Sequence, residues 1–251
     1  MAYELQSLER ALDLLGLLAS RGPLRLSAIG DELGANQTTV LRTLRVLERN
    51  GLVRRDPRVN EYALGTRLAE LGQAAIAGID VPRSLRPWTT ALSRRFGCTV
   101  HVGMLRAGMV TIIDKVDAID SVVRYSSLGT RMPLHATSIG KAVLALVGVD
   151  DAREIGLTPP LGVYTPHTIT DLDALRADVR TAAERGYSIE REEYQMGFAC
   201  NGVAFRMGGE VFGVSISGQT GDEGLIADRG DALKAALDEF VREFRGAATS
   251  I

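Results

Sequence analysis

Residues 24–64 hold the pattern that most constrains the fold of this chain: two short helical segments, a tight turn and a hairpin. Ser27 is typical of a residue that caps the first helix, and Gly34 supplies the backbone freedom with which that helix ends. Asn36 can cap the second helix, where apolar residues recur at helical spacing from Val40 onward. The pattern predicts two helices joined at an angle by a short turn.

A hairpin follows this helix pair. The second helix ends at Asn50-Gly51, and residues 52–56 and 61–64 have the composition of two strands joined by a turn at residues 57–60. A helix pair followed by a hairpin is the arrangement with which winged helix-turn-helix domains place their second helix in the major groove of DNA. We therefore interpret residues 1–64 as a winged helix-turn-helix domain.

The side chains on the exposed face of this unit are suited to DNA. Gln, Thr and Arg near the start of the second helix can bond to base edges or phosphates, and arginines on the hairpin can meet backbone phosphates. The alternative is a three-helix core module whose arginines form an ordinary solvated face. Our candidate DNA-contacting residues are Gln37, Thr38, Thr39, Arg42, Arg45, Arg54, Arg55 and Arg58.

The distribution of charge supports the DNA-binding interpretation. The whole chain has a net charge of −2, but the segment from Arg21 to Arg58 holds eight Arg and four acidic residues. This segment is therefore +4 and the remainder of the chain −6. A basic head on an acidic body is typical of a protein that binds DNA locally rather than one that coats it.

The chain length of 251 residues is sufficient for two domains. Residues 65–79 indicate a helix that links the head to a larger domain over residues 80–251, and such a connecting helix is a common place for dimerisation. In the larger domain, strand-like runs separated by helices and closed by a hairpin at Gly208-Gly209 predict a mixed α/β (α+β) fold with a mainly antiparallel sheet. The predicted strands cover residues 98–104, 109–116, 121–125, 202–207 and 211–217, and the predicted helices cover residues 81–96, 137–147, 171–185 and 228–244.

Composition disfavours several classes of protein. No run approaches the roughly 20 apolar residues of a membrane span, and the first residues lack the features of a signal peptide, so we expect a cytoplasmic protein without a membrane partner. The two cysteines, Cys98 and Cys200, are far apart and are expected to be reduced, and the three histidines are scattered. We therefore predict neither a metal site nor a cofactor.

Two segments resemble catalytic loops without completing their motifs. Residues 135–142 lack the glycine and the Ser or Thr that a phosphate-binding loop requires on either side of Gly140-Lys141. Residues 213–217 end in serine where a nucleophile elbow requires glycine, and a loop follows instead of a helix. The sequence therefore favours neither a phosphate-binding loop nor a serine hydrolase.

Hydroxyl groups on one strand indicate a pocket instead. Alternate strand residues point to the same side, so Ser215 and Ser217 place two hydroxyls on one face. The turn at residues 127–130 has backbone N–H groups that could bind an anion, and residues 197–200 supply a further segment. Together these features outline a small polar pocket.

Several short motifs match a known family. In the head they are residues 22–27, 38–40 and 48–53, and in the larger domain they are residues 129–142, 164–166, 185–187, 192–194 and 215–218. On these motifs the chain resembles the IclR-type transcriptional regulators, from about Leu8 to Phe244.

This resemblance implies a winged helix-turn-helix head, a linker helix and a GAF-like effector domain that binds a small organic acid and adjusts the affinity for DNA. Members of the family act as dimers or dimers of dimers on palindromic operators, which implies a homodimer here. The family often has Asp in the segment 188–191, and we place Glu190 of this chain at that position. The other implied effector contacts are Gly129, Thr130, Phe198, Cys200, Ser215 and Ser217.

The chemistry of these side chains suggests the class of effector. The carboxylate of Glu190 would repel a ligand carboxylate but could accept a hydrogen bond from a ligand hydroxyl. The glycine, threonine and serine residues of the set are therefore expected to hold the acid end, while Glu190 faces a hydroxyl or solvent. Phe198 and Met196 add apolar surface, which favours an aromatic acid such as 4-hydroxybenzoate over glyoxylate or pyruvate.

Two other classes stay open at this point. The first is an enzyme with a DNA-binding-like head and Cys200 as nucleophile, which would need a base that the sequence does not identify among its histidines, His101, His135 and His167. The second is a ligand-independent architectural DNA-binding dimer. Turnover of an organic acid would indicate the first class, and the absence of any stabilising ligand would indicate the second.

Overall fold

The chain divides into two structural units, Met1–Ile79 and Asp80–Ile251, which we call the head and the body. Within the described part, no helix combines the length and apolar character of a membrane span. The structure is a computed structural model that describes residues 6–118, 126–149, 157–221 and 223–247.

The head is built from helices and a small antiparallel sheet. Its helices are α1 (Gln6–Arg21), α2 (Leu26–Glu32), α3 (Gln37–Arg49) and α4 (Arg67–Ala77), and its strands are β1 (Leu24–Arg25), β2 (Val53–Asp56) and β3 (Glu61–Leu64). The strand order is β1-β3-β2. The predicted helix pair and hairpin are confirmed, and β1 adds a short strand that the sequence did not indicate.

An apolar core joins α1, α2, α3 and the hairpin. Asn36 caps α3 as predicted, because its Oδ1 accepts the backbone N–H of Thr39 at 2.9 Å. The prediction for Ser27 is wrong: the extended chain of β1 leads directly into α2, so Arg25 is the residue before the helix and Ser27 lies inside its first turn. The buried core residues are Leu14, Leu18, Ile29, Val40, Leu44, Leu47, Val53 and Tyr62.

The body contains a six-stranded sheet in the order β6-β5-β4-β9-β8-β7, with every neighbouring pair antiparallel. The predicted α+β class with an antiparallel sheet is therefore confirmed. Its helices are α5 (Asp80–Phe96), α6 (Ser138–Val147), α7 (Leu172–Arg185) and α8 (Glu223–Ala247), and its strands are β4 (Thr99–Arg106), β5 (Met109–Val116), β6 (Arg131–Pro133), β7 (Ser188–Arg191), β8 (Phe198–Met207) and β9 (Glu210–Gln219).

The long hairpin of β8 and β9 turns at the predicted position. Gly208 and Gly209 both have positive φ, 59° and 81°, which a two-residue hairpin turn requires. Both strands extend further than predicted, to Phe198 on one side and Gln219 on the other. The predicted strand at residues 121–125 lies outside the described residues.

Helices cover both faces of this sheet. On one face α6 approaches β8 so closely that a Cβ added at Gly202 would lie 2.3 Å from the Ser138 carbonyl oxygen. On the other face α5 and α8 pack over Val203 and Val214. Glycine at position 202 therefore sets how near the start of α6 comes to the sheet.

Candidate functional site

The exposed face of α3 carries most of the residues predicted to contact DNA. Thr39 is half-buried, so its side chain is less available to DNA than the exposed candidates of α3, and its backbone N–H is bonded to Asn36. The apolar side of the helix faces the core, which leaves a polar surface toward solvent. The exposed candidates on α3 are Gln37, Thr38, Arg42 and Arg45.

The hairpin arginines differ in their surroundings. Arg54 and Arg58 are exposed, and within the described residues neither side chain has a hydrogen-bond or ion-pair partner. Arg55 instead donates to Asn60 Oδ1 from Nε at 3.1 Å, and its guanidinium lies 5.7 Å from the ring centre of Tyr62. Arg54 and Arg58 are thus the cations available for phosphate, while Arg55 also holds the hairpin together.

A groove between α1 and α3 brings two further polar residues to this surface. Ser7 and Arg10 of α1 line it together with Thr38, Thr39 and Arg42 of α3. The apolar stripe of residues 5–15 predicts a first helix that packs onto the helix-turn-helix, but it does not show that the polar residues of this helix lie beside α3. The contact is tertiary, and for that reason Ser7 and Arg10 were missing from the predicted set.

The body encloses a small polar cavity between α6 and the sheet. Its volume is about 20 Å³, which is close to the space of one water molecule. The side chains around it include hydroxyls, a thiol, an imidazole, a carboxyl group and several apolar groups. The lining residues are His101, Met132, Thr137, Ser138, Ile139, Glu190, Tyr194, Gln195, Phe198, Cys200, Ser215 and Ser217.

Strand pairing explains why residues distant in sequence meet in this cavity. Cys200 lies opposite Ser217 in the β8/β9 pair and opposite Glu190 in the β7/β8 pair. His101 lies opposite Ser215 in the β4/β9 pair. Because side chains alternate along a strand, these residues share the face that α6 covers. Cys200 Sγ also lies within hydrogen-bonding distance of Ser217 Oγ, at 3.4 Å.

Glu190 brings an acidic group into the cavity wall. The residue is only 3% exposed, and its Oε1 accepts the backbone N–H groups of Glu193 at 2.6 Å and Tyr194 at 3.1 Å. Burial raises the pKa of Glu190 to about 7, although the hydrogen bonds from Tyr194 and from the Cys200 thiol act to lower it. The option that Glu190 faces solvent is wrong because the side chain is buried, while its contact with a ligand hydroxyl stays a prediction.

His101 is a neutral group in the same wall. Burial is the main reason that its pKa is lowered to about 4, and the nearby cation of Lys115 lowers it further. Its Nε2 lies 2.6 Å from Ser126 Oγ. The imidazole therefore supplies hydrogen bonding without positive charge near pH 7.

The start of α6 forms the donor-rich end of the cavity. Thr137 caps the helix by accepting the Gly140 N–H at 3.1 Å, and the next two residues, Ser138 and Ile139, line the cavity with N–H groups that have no partner in the helix. Ser138 and Ser215 are buried residues, 2% and 5% exposed, and their hydroxyls form no hydrogen bond within the described residues. The beginning of a helix favours negative charge, so this end can bind a small anion.

Five of the seven predicted effector contacts lie in the cavity wall, and two do not. Gly129 and Thr130 belong to a turn in which the Gly129 N–H donates to the Ile112 carbonyl at 2.8 Å and Thr130 Oγ1 accepts the Ser127 N–H at 2.9 Å. Their contact with an effector stays a prediction. Met196 is exposed and is not among the lining residues, so the apolar surface comes from other side chains. The five residues in the wall are Glu190, Phe198, Cys200, Ser215 and Ser217.

Sequence profiles recognise both units of this architecture. The profile of the IclR helix-turn-helix domain matches residues 7–57, and the profile of the bacterial transcriptional regulator IclR C-terminal domain matches residues 73–244. The chain belongs to the IclR family. The resemblance inferred from its motifs is therefore confirmed.

Named relatives in the IclR family are similar over most of the chain. The transcriptional regulator XynR of Escherichia coli is 32% identical over 200 residues, which are 79% of this chain and 79% of XynR. The repressor AllR of the same species is 31% identical over 216 residues, covering 85% of this chain and 80% of AllR.

Solved IclR structures share the fold. The regulator from Alicyclobacillus acidocaldarius has a TM-score of 0.80 at 29% identity and covers 95% of this chain and 98% of its own. IclR of Thermotoga maritima has a TM-score of 0.71 at 28% identity, and the match covers 96% of this chain and 99% of its own.

The family identifies the class of function. This chain is a DNA-binding transcriptional regulator with an effector domain at its carboxyl end, and the relatives are regulators rather than enzymes. The interpretation of Cys200 as a catalytic nucleophile is not supported. Although His101 lines the same cavity, its Nε2 is engaged by Ser126.

Proposed function

We propose that this IclR-family protein is a homodimeric regulator whose affinity for a palindromic operator is set by a small organic acid bound in the body cavity. The observation that carries the proposal is the anion-binding end of the cavity. There Ser138 and Ser215 are buried residues in the cavity wall, and neither hydroxyl forms a hydrogen bond within the described residues. Buried polar groups of this kind normally have hydrogen-bond partners, and a ligand carboxylate would supply them.

The residues of the cavity wall support one orientation of the effector. The carboxylate lies at Ser138, Ser215 and Ser217, and a ligand hydroxyl lies at Glu190. Phe198 lines the apolar part of the cavity, so an aromatic acid such as 4-hydroxybenzoate stays favoured over glyoxylate or pyruvate. An IclR homologue from Microbacterium hydrocarbonoxydans, 23% identical with a TM-score of 0.74, has been solved in complex with 4-hydroxybenzoate, which makes this acid the first to test.

The helix α4 supports the dimer. None of its residues is buried against the described part of the chain, although its sequence is largely apolar. Leu71, for example, is 49% exposed. Packing of α4 against a second copy would cover this surface and would bring two heads to the two halves of a palindromic operator.

A thermal-shift screen of small acids tests the effector. 4-Hydroxybenzoate, protocatechuate, glyoxylate and pyruvate form the panel, and a ligand at about 100 times its Kd is expected to stabilise the protein by about 2.7 kcal/mol. Stabilisation by a hydroxybenzoate is expected. Binding of glyoxylate or pyruvate alone would contradict the aromatic class, and no stabilisation by any acid would favour the ligand-independent architectural dimer.

The pH dependence of binding tests the place of Glu190. With a pKa of about 7, Glu190 is mostly protonated at pH 6 and mostly charged at pH 8. The proposed ligand donates its hydroxyl to charged Glu190, so its Kd, measured by calorimetry, is expected to fall about tenfold from pH 6 to pH 8. A ligand carboxylate at Glu190 would need the protonated form, and a Kd that rises over this range would contradict the proposed orientation. Glu190→Gln is expected to abolish either dependence.

A further inference from the structure

Residues 192–197 cover the cavity from the solvent side. Tyr194 and Gln195 of this segment belong to the cavity wall, and residues 195–197 are exposed. The volume of about 20 Å³ has room for one water molecule and not for an organic acid. An effector can therefore reach Ser215 only if part of this wall moves.

The covering segment is closed at its base as a separate loop. The Glu192 N–H donates to the Phe198 carbonyl at 2.8 Å, and Glu192 Oε1 accepts the Gly197 N–H at 2.8 Å. Both end residues have positive φ, 57° for Glu192 and 83° for Gly197. The segment is thus a closed chain reversal between β7 and β8, which stay paired in the sheet on either side of it.

Hydrogen bonds hold this loop on both sides. From the cavity side, the Glu190 carboxyl group accepts the backbone N–H groups of Glu193 and Tyr194. From the opposite side, the Thr165 hydroxyl donates to the Glu192 carbonyl at 2.5 Å and the Thr168 hydroxyl donates to the Glu193 carbonyl at 2.6 Å. These hydrogen bonds fix the backbone of Glu193 and Tyr194 in the closed loop.

A buried ion pair provides the strongest link. Glu193 Oε1 lies 2.7 Å from Nζ of Lys141, which is fully buried on α6 one turn after Ser138. The same ammonium lies 2.9 Å from Asp178 Oδ2 on α7. Lys141 therefore has two carboxylate partners, of which only Glu193 belongs to the loop.

We propose that residues 192–197 are the gate of the effector site and that the Glu193–Lys141 ion pair is its latch. When the gate opens, Glu193 moves into solvent and Lys141 keeps Asp178 as its counter-ion, so no buried cation is left unpaired. Lys141 belongs to α6, the same helix whose first residues are proposed to bind the ligand carboxylate, so opening of the gate is linked to the effector site. The role of the gate rests on the proposed function, but its motion can be measured without an effector.

The two cysteines of the intact chain report on the gate. Cys200 lines the cavity under the loop, whereas Cys98 lies on the opposite face of the sheet beside Arg229. Their rates of alkylation by iodoacetamide, followed by mass spectrometry, are compared in two matched variants. Glu193→Gln is expected to accelerate Cys200 roughly tenfold or more and to leave Cys98 unchanged, because it removes a buried ion-pair partner on the loop. Asp178→Asn removes the counter-ion that Lys141 keeps when the gate opens, so it is expected to slow Cys200 and to leave Cys98 unchanged.

The outcomes separate the gate from general loosening. Equal acceleration in both variants, acceleration of Cys98 together with Cys200, or no acceleration in Glu193→Gln would each overturn the gate. Thr168→Val loosens the loop without touching a buried charge and is expected to accelerate Cys200 in the same direction, which keeps the test informative if Glu193→Gln does not fold.

Protection by an acid separates the gate from the proposed function. Protection of Cys200 by 4-hydroxybenzoate, with no acceleration in Glu193→Gln, would reject the gate and retain the effector site. Acceleration in Glu193→Gln, with no protection by any acid of the panel, would retain the gate and reject the effector class.

Discussion

Lys141→Met is expected to lower the free energy of unfolding by about 3–5 kcal/mol, measured by urea denaturation at pH 8. Lys141 is fully buried, and the side chain of Glu193 is only 9% exposed, so the substitution leaves a carboxylate in the interior without its cation. Burial already raises the pKa of Glu193, against the effect of Lys141, which lowers it. Without Lys141, and with the gate closed, the Glu193 carboxylate escapes an unpaired buried charge only by taking up a proton.

The stability of Lys141→Met is therefore expected to depend on pH. A carboxyl group whose pKa is raised by folding stabilises the folded state at low pH, and this contribution is lost as the pH rises through the raised pKa. Lowering the pH from 8 to 5 is expected to recover part of the loss. At pH 8, the double variant with Lys141→Met and Glu193→Gln is expected to recover part of the unfolding free energy that Lys141→Met loses.

An exposed ion pair supplies the control. Arg83 pairs with Asp80 at 2.8 Å, with both side chains largely exposed. Arg83→Met is expected to change the unfolding free energy by less than about 1 kcal/mol. If Lys141→Met lowered the unfolding free energy by no more than Arg83→Met does, the buried ion pair would not hold α6 to the loop.

Two substitutions in the head are expected to weaken DNA binding in different ways. Arg54→Ala removes an exposed cation from the hairpin, so binding to specific and non-specific duplexes is expected to weaken alike, and the salt slope of the affinity is expected to fall by about one. Gln37→Ala removes a side chain able to read a base edge and is expected to cost about 1–3 kcal/mol, which is roughly 5- to 150-fold, at specific sites. Mobility-shift titrations measure both effects on a duplex selected from a random library.

Arg83→Ala, a substitution in the body, is the control for these titrations. Its affinity and salt slope are expected to match those of the wild type. Unchanged operator affinity in both head variants would contradict the placement of α3 and the hairpin on DNA.

Local sequence patterns were sufficient to predict most of the helices and strands of the head. The cap at Asn36, the apolar spacing from Val40 and the turn residues of the hairpin are all encoded within a few neighbouring positions, and the structure has the helices and strands that they indicate. Ser27 was misjudged because β1 enters α2 directly, and β1 exists only through its pairing with β3.

The cavity could be foreseen only in part. Ser215 and Ser217 share a face because side chains alternate along β9, which is a local property. His101 joins them only through the pairing of β4 with β9, and Ser138 joins them only through the docking of α6 on Gly202. Such contacts between distant segments leave no periodic signal in a single sequence.

Lys141 shows how a rejected motif can still be informative. Residues 135–142 fail as a phosphate-binding loop, yet a lysine inside an otherwise apolar helix indicates a buried cation that needs acidic partners. Those partners, Glu193 and Asp178, come from two other segments and became visible only in the structure.

A ligand bound in the body is expected to change the affinity of the head for DNA. A fluorescence-anisotropy titration of the selected operator, with and without a saturating acid from the thermal-shift screen, measures this coupling. A ligand acts only through its different affinities for the two arrangements of the dimer, and a coupling of about 1–3 kcal/mol is expected to change the operator Kd roughly 5- to 150-fold. Ser215→Ala, which removes a hydroxyl from the acid end of the cavity, is expected to lose this change at the same acid concentration. An operator Kd that stays the same while the acid demonstrably stabilises the protein would contradict this coupling.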